Sequence, residues 1–205
     1  MEIELKYRIP DAETAEKIWI DKTFFHMEEE GTREELCFDA KYFDTTDFDL
    51  MQKEIAYRVR KEGQKWIATI KWSGYSDGSL HQREELNVPV NDDTPDLGVF
   101  SESEIGKVLD SLASGKTLEC ILETKFIRKQ FRIDSGTGIF EISIDEGHII
   151  TPYGEEPILE VEIELFSGET EELLELGNKL SEVYNLEVEN ISKYARGLAL
   201  IKNNK

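Results

Sequence analysis

The chain has 205 residues, of which 39% are hydrophobic and 33% are charged, and its formal net charge is −20. This charge disfavours nonspecific binding to nucleic acids or anionic membranes, although it permits a local cationic pocket. No apolar run approaches the roughly 20 residues of a membrane helix, and the first residues lack the basic and apolar regions of a signal peptide. Cys37 and Cys120 are too few for a disulfide scaffold and indicate reduced thiols. We therefore expect a single domain over residues 1–205 of a soluble, cytoplasmic protein.

Alternation of apolar and polar residues with a period of two dominates the sequence and predicts a mainly β, α+β protein. In chain order the pattern predicts a strand over 2–9, a helix over 11–22, strands over 34–45, 54–62, 65–73 and 82–90, a helix over 101–113, strands over 119–133, 137–145 and 157–166, and helices over 169–184 and 191–202. Pro10 ends the first strand, whereas Ser101 and Gly115 are typical capping residues of the second helix. The segment 91–101 is rich in Asp, Pro and Gly and predicts a loop.

Charged residues occupy one face of most predicted strands. Some faces are acidic, others are basic, and the residues include Glu2, Glu4, Glu160, Glu162, Glu164, Arg58, Arg60, Lys71, Arg128 and Arg132, with Arg83 beside Glu85 and Glu141 beside Asp145. Like charges in a row repel one another unless an ion of opposite charge lies among them. A solvated sheet face would explain any one strand, whereas a closed barrel with these residues inside explains the whole set. In such a barrel, carboxylates would hold divalent metal ions and cations would hold a chain of phosphates.

The order of the motifs along the chain resembles that of a known protein family. The chain starts with Glu2-x-Glu4-x-Lys6 and continues with Tyr42-Phe43-Asp44-Thr45, Tyr57-Arg58-Val59-Arg60, Thr69-Ile70-Lys71, Arg83-x-Glu85, Phe126-Ile127-Arg128, Ile144-Asp145-Glu146-Gly147, Glu160-Val161-Glu162-Ile163-Glu164 and Ser192-Lys193-Tyr194-Ala195-Arg196-Gly197. One such motif alone is weak, because any amphipathic strand can supply it. The full order resembles the CYTH domain family, the triphosphate tunnel metalloenzymes, and is most similar to its bacterial inorganic triphosphatase branch.

This resemblance implies a fold and an activity. The fold would be an eight-stranded antiparallel closed β-barrel, the triphosphate tunnel, with helices packed outside. The activity would be metal-dependent hydrolysis of inorganic triphosphate to pyrophosphate and phosphate, with Mg²⁺ or Mn²⁺ as the cofactor. The substrate would be a small-molecule triphosphate, with neither nucleic acid nor membrane as a partner. A homodimer is compatible with the family, although no apolar face in the sequence predicts one.

The resemblance also implies roles for individual residues. The metal ligands would be Glu2, Glu4, Glu160, Glu162 and Glu164, together with Asp145. The phosphate-binding residues would be Lys6, Arg58, Arg60, Lys71, Arg83, Arg128 and Lys193, because Arg offers a planar fork and Lys a mobile point charge. Glu4, Glu162 and Lys71 would form the catalytic group. Asp145 could instead orient a cation, and Lys193, on a predicted helix, could equally be solvated.

Several other polar and aromatic residues have plainer interpretations. Tyr42, Phe43, Trp66 and Trp72 are expected to pack in the barrel. His26, His81 and His148 lack metal-ligand spacing and are expected at the surface or in turns. Lys125 is out of phase with Arg128 and is expected to face outward.

The sequence is also compatible with other functions. Within the same fold, a class IV-type adenylate cyclase would need an added purine site, and a thiamine or nucleoside triphosphatase would differ only in its substrate. A noncatalytic polyphosphate-binding module would bind anions without turnover. A structural protein with a polar sheet face would release no phosphate at all.

Overall fold

The computed structural model describes residues 1–203. The strands are β1 (Glu2–Arg8), β2 (Glu34–Thr45), β3 (Ala56–Glu62), β4 (Lys65–Asp77), β5 (Leu80–Val90), β6 (Leu118–Asp134), β7 (Ile139–Thr151), β8 (Gly154–Ser167) and β9 (Glu187–Val188). The α-helices are α1 (Ala12–Trp19), α2 (Lys22–Phe25), α3 (Glu104–Ala113), α4 (Thr170–Tyr184) and α5 (Lys193–Lys202), and short 3₁₀ helices span Met51–Lys53 and Leu97–Phe100.

Eight of the strands close into a barrel. They follow the order β5-β4-β3-β2-β6-β7-β8-β1, and β5 pairs back onto β1 with Glu2 opposite Arg83. Every pairing is antiparallel, and β9 attaches to β1 with Val188 opposite Tyr7. Closure satisfies the backbone hydrogen bonds of strands that would otherwise form sheet edges. The closed, mainly β, eight-stranded antiparallel barrel expected from the sequence is confirmed.

The outer face of the barrel is apolar and is covered by helices. Leu5 and Ile163 point outward into one cluster with Leu173 of α4. On another side, Ile70 packs against Leu109 of α3. Each such side chain contributes about 1.5–3 kcal/mol when it is fully buried. Because neighbouring residues of a strand point to opposite faces, this outward packing directs the alternating charged residues into the barrel.

One end of the barrel is closed by α5. Leu122 and Ile149 lie on the same strand faces as the inward charged residues, and they pack against Leu198 and Ile201 of α5. Gly197 brings the helix close to the barrel wall, since a Cβ atom there would lie 2.7 Å from a methyl carbon of Leu122. The interior is therefore blocked below the charged layer by an apolar contact with α5.

The structure differs from the sequence expectations mainly at element ends. The helix expected over 11–22 is two helices, because the side chain of Asp21 caps a new helix by accepting a hydrogen bond from the backbone N–H of Thr23. The segment 91–101 is not only a loop, since Leu97 and Phe100 form a buried 3₁₀ turn. The short strand β9 was not expected, because two residues carry no periodic signal. Within residues 1–203, no helix has both the length and the apolar character needed to cross a membrane.

Candidate active site

The barrel encloses a charged cavity of about 310 Å³. Its walls include eleven of the residues expected at the site, namely Glu2, Glu4, Lys6, Arg58, Arg60, Lys71, Arg83, Arg128, Glu162, Glu164 and Lys193. Asp145 and Glu160 do not line the cavity; they are 0% and 1% exposed. The structure thus brings these side chains from six strands and α5 together around one enclosed space.

One wall of the cavity is acidic because of the strand register. Glu4 of β1 lies opposite Glu164 of β8, and Glu164 lies opposite Glu141 of β7. Residues directly opposite one another in an antiparallel sheet have Cβ atoms about 4.5–5.5 Å apart, so these carboxylates repel. Glu2 continues the row on β1. This wall therefore concentrates negative charge on three neighbouring strands.

Burial, together with the repulsion in the acidic wall, changes the proton affinities of its carboxylates. Burial raises the pKa of Glu164 to about 7, and the nearby carboxylates of Glu2 and Glu4 add to the rise. Burial also raises the pKa of Glu2, although Lys71 opposes this change. Within residues 1–203, Glu164 forms no ion pair. The acidic wall is thus incompletely neutralised by the protein's own cations.

The cationic wall contains buried hydrogen-bond donors that lack an acceptor within residues 1–203. Arg58, Arg60 and Arg83 each have a buried Nε–H without an acceptor in the described part of the chain. Arg58 donates a hydrogen bond to the hydroxyl of Tyr42 at 3.3 Å. Burial lowers the pKa of Arg60 to about 10, and the nearby positive charge of Arg58 adds to this effect. A buried donor without a partner costs about 1–3 kcal/mol, so this wall is suited to an incoming anion.

Lys71 connects the two walls. Its Nζ lies 2.6 Å from a carboxylate oxygen of Glu2 and 2.5 Å from one of Glu85. Burial by itself would raise the pKa of Glu85, but Lys71 and Arg58 lower it to about 2. Glu85 is therefore an anionic partner that holds Lys71 in place between the acidic and cationic residues.

The floor of the cavity is a buried ion-pair network. Glu162 accepts hydrogen bonds from Lys6 at 2.8 Å and from Arg128 at 2.5 Å. Asp145 binds Arg128 through two hydrogen bonds of 2.7 Å each. Ligand atoms of Asp145, Glu160 and Glu162 lie within 4.8 Å of one another, a spacing that could hold a metal ion. The surrounding cations already pair with all three carboxylates.

Of the residues expected to pack in the barrel or to face solvent, Lys125 and Tyr42 lie as expected, whereas His81 does not. Lys125 faces outward as expected, half exposed and paired with Glu123. Tyr42 packs as expected, stacked on Tyr194, but it also lines the cavity and contacts Arg58. The expectation that His81 lies at the surface or in a turn is wrong: it is 1% exposed in β5, and its imidazole contacts Ser76 and the backbone oxygen of Glu189.

Sequence reasoning left some site residues without a role. Glu85, Glu141 and Arg132 line the cavity, and their alternation with apolar neighbours already indicated inward faces. Arg196 of α5 binds Glu160 at 2.8 Å and anchors the helix to the barrel. No local pattern could identify this last contact, because the partners lie 36 residues apart on different elements.

Comparison with known proteins gives a consistent result. The family model described as the CYTH domain matches residues 1–198. The chain is 30% identical over 160 residues to the inorganic triphosphatase of Haemophilus influenzae, which covers 78% of this chain and 44% of that relative. The chain therefore spans less than half the length of the curated relative it matches.

Solved structures share the fold. A Hippeastrum protein described as a putative adenylyl cyclase with a dominant triphosphatase activity superposes with a TM-score of 0.70 at 20% identity, covering 97% of this chain and 96% of that chain. A putative adenylate cyclase from Bacillus halodurans gives a TM-score of 0.58 at 21% identity, covering 96% of each chain. At these identities the likeness establishes the barrel architecture alone.

Proposed function

The chain belongs to the CYTH domain family, and we propose that it hydrolyses inorganic triphosphate to pyrophosphate and phosphate with the help of a divalent metal ion. The observation that carries this proposal is that one cavity contains both buried cationic donors that lack an acceptor and a carboxylate that lacks an ion-pair partner, within residues 1–203. Arg58, Arg60 and Arg83 have buried donors without acceptors, while Glu164 lies in a row of repelling carboxylates. A metal-bound chain of phosphates supplies an anion to the first group and a cation to the second.

The acidic wall fits a divalent cation. Glu2, Glu4 and Glu164 would hold Mg²⁺ or Mn²⁺, with Glu162 at the border between this wall and the floor. Carboxylate oxygens are the ligands that these hard cations prefer. A cation would also relieve the repulsion from Glu2 and Glu4, which adds to burial in raising the pKa of Glu164. When bound, the ion would supply charge neutralisation of the phosphates and a more acidic water.

The chain's own residues would bind and orient the substrate. The guanidinium groups of Arg58, Arg60 and Arg83 present planar forks to phosphate oxygens. Lys71, held by Glu2 and Glu85, would place a point charge where negative charge develops. In phosphoryl transfer, positioning and electrostatic stabilisation supply most of the catalysis, so this rigid arrangement suits the reaction.

The aromatic residues of the cavity favour inorganic triphosphate over a nucleotide. Four aromatic side chains line the cavity, and they stack on each other in two pairs. Phe38 stacks on Phe126 at 5.2 Å, and Tyr42 stacks on Tyr194 at 5.2 Å. Arg60 and Arg128 also lie over the Phe38 ring, 5.6 and 5.2 Å from its centroid, and Lys193 lies 5.2 Å from the centroid of Phe126. A purine or thiamine ring would therefore have to compete with these contacts for an aromatic face. We therefore propose that the phosphate chain alone is recognised.

Phosphate release from inorganic triphosphate, ATP and thiamine triphosphate tests the proposal, each with Mg²⁺, Mn²⁺ or a chelator. We expect release from inorganic triphosphate to be fastest and to stop on chelation. Arg58→Ala should mainly raise KM, whereas Glu4→Gln should weaken metal binding. Lys125→Ala, on the outer face of the same barrel, is the matched charge-removal control and should change neither. Equal activity in all three variants, or preference for ATP, would contradict the proposal.

A further inference from the structure

The buried floor of the cavity pairs each of its three carboxylates with cations, and two of these cations, Lys6 and Arg196, also pair with other acids, namely Glu4, Glu156 and Glu189. Three carboxylates, of Asp145, Glu160 and Glu162, meet four cations, of Lys6, Arg128, Lys193 and Arg196. Six of these seven residues are at most 8% exposed, and Arg128 lines the cavity. A divalent ion placed among the three carboxylates would have to displace cations that already satisfy them. The acidic wall differs from the floor at one position: Glu2, Glu4 and Glu141 have cation partners there, but Glu164 has none within residues 1–203.

The hydrogen bonds of the floor fix the direction of Arg128. Its Nε and Nη2 donate to the two carboxylate oxygens of Asp145, each at 2.7 Å, and Nη2 also reaches Glu162. The Nη1 group donates to no acceptor within residues 1–203, so its two N–H donors are left for the cavity that Arg128 lines. A bidentate pair of this kind holds a guanidinium in one plane.

Glu160 is bound to α5 by hydrogen bonds from two of its cations. It accepts hydrogen bonds from Lys193 and, at 2.8 Å, from Nη1 of Arg196. Lys193 is fully occupied, because its ammonium group also lies 2.7 Å from Asp145 and 3.0 Å from Glu162. An ammonium group has three donors, and here all three face carboxylates. Lys193 thus contributes charge and anchorage to the floor without a free N–H for a ligand.

We infer that Asp145 and Glu160 are positioning residues and not metal ligands: Asp145 aims the free Nη1 edge of Arg128 at a terminal phosphate, and Glu160 holds α5 against the barrel through Lys193 and Arg196. The inference rests on the proposed function for the identity of the phosphate ligand. It assigns different roles to the two acidic clusters of the cavity. The cluster around Glu164, which has no ion-pair partner within residues 1–203, binds metal, and the cluster whose three carboxylates all pair with cations orients the hydrogen-bond donors of Arg128 toward phosphate.

A double-mutant cycle tests the role of Asp145. Calorimetric titration with inorganic triphosphate, in the presence of a chelator to prevent turnover, measures the dissociation constant of each variant. We expect Asp145→Asn to weaken binding about tenfold in the wild-type background and about twofold or less in the Arg128→Ala background, because Arg128 is then no longer there to be aimed. Equal losses in both backgrounds would show that Asp145 does not act through Arg128.

Manganese binding tests the second half of the inference. Free Mn²⁺ is measured by electron paramagnetic resonance at increasing protein concentration. We expect Asp145→Asn and Glu160→Gln to bind Mn²⁺ within about twofold of the wild type, whereas Glu4→Gln loses about tenfold or more. A loss in Asp145→Asn or Glu160→Gln as large as that of Glu4→Gln would overturn the inference.

A measurement on the wild-type protein covers the case in which a floor variant does not fold. Crystals soaked in Mn²⁺ locate the ion by anomalous scattering. We expect the peak beside Glu4 and Glu164; a peak at coordination distance from Asp145 or Glu160 would overturn the inference. If the wild type binds and hydrolyses no triphosphate, the proposed function fails, and the manganese position still decides whether these two residues are metal ligands.

Discussion

Glu162 and Glu164 are two residues apart on the same face of β8, yet their carboxyl groups ionise in opposite ways. Burial would raise the pKa of both. At Glu162 the cations Lys193 and Lys6 overcome burial and hold the pKa well below its usual value. At Glu164 burial and neighbouring carboxylates act together and raise the pKa to about 7. The charge of the neighbours, rather than burial, therefore decides which carboxylate is available to a metal ion.

This contrast predicts a pH-dependent effect of Glu164→Gln on the metal-free protein. The folded chain binds the Glu164 proton more tightly than the unfolded chain, whose ordinary pKa is 4.5. Ionisation therefore costs stability as pH rises from 4.5 to about 7, and the full cost remains above pH 7. We expect Glu164→Gln to stabilise the protein by roughly 1–2 kcal/mol at about pH 8.5, after allowance for solvent screening, and to have little effect at about pH 5.

Urea unfolding of both proteins at the two pH values, in the presence of a chelator, measures this difference. Glu146→Gln is the control, since this carboxylate is exposed on the outer face of β7. A stabilisation that is equal at both pH values would show that Glu164 does not titrate near neutrality.

At the scale of elements, the paired strands β6 and β7 provide two residues of the cavity floor. Phe126 lies opposite Gly147, and Arg128 lies opposite Asp145. A Cβ atom on Gly147 would lie 2.1 Å from the backbone oxygen of Lys125 and 2.5 Å from the Cα of Phe126. Since these are backbone atoms, they cannot move aside without separating the strands. The absence of a side chain at this position thus permits the close pairing that places Asp145 beneath Arg128.

Gly147→Ala should therefore destabilise the protein by about 3 kcal/mol, at the upper end of the usual cost of overpacking. Gly74→Ala in β4 is the control, because the atoms nearest to the added Cβ belong to the flexible side chain of Arg83, the first of them at 3.1 Å. Thermal unfolding of the two variants measures the difference. Equal stability of Gly147→Ala and Gly74→Ala would mean that the β6–β7 pairing tolerates a side chain.

The sequence predicted which way the strand residues face but not how deep they lie. Alternation correctly placed Arg58, Arg60 and Glu164 inside the barrel, since that periodicity is local. The depth of Asp145 below the cavity depends on strand register and on α5, which are long-range properties. His81 was misjudged because β5 begins at Leu80, which puts His81 in phase with Arg83. The site residues were therefore predictable as a set, whereas their division between wall and floor was not.

At the scale of the whole molecule, charge is unevenly distributed. Eight cationic and seven acidic side chains line the cavity, although the chain carries a net charge of −20. All of the excess negative charge therefore lies elsewhere on the protein. Such a surface opposes the approach of a free polyanion at long range. A metal-bound triphosphate has a smaller negative charge, and its ion also relieves the repulsion in the acidic wall.

Metal and triphosphate should consequently bind with positive coupling, each strengthening the other by the same factor. Thermal unfolding measures this with Mn²⁺, with an imido-bridged triphosphate analogue that resists hydrolysis, and with both. A ligand at about 100 times its dissociation constant adds about 2.7 kcal/mol of stability, which raises Tm by roughly 5–10 °C for a chain of this size. We expect the shift with both ligands to exceed the sum of the separate shifts. Glu4→Gln should keep the shift caused by the analogue and lose the part of the combined shift that exceeds the sum, because it weakens only the metal site. Strictly additive shifts in the wild type would mean that the two walls act independently.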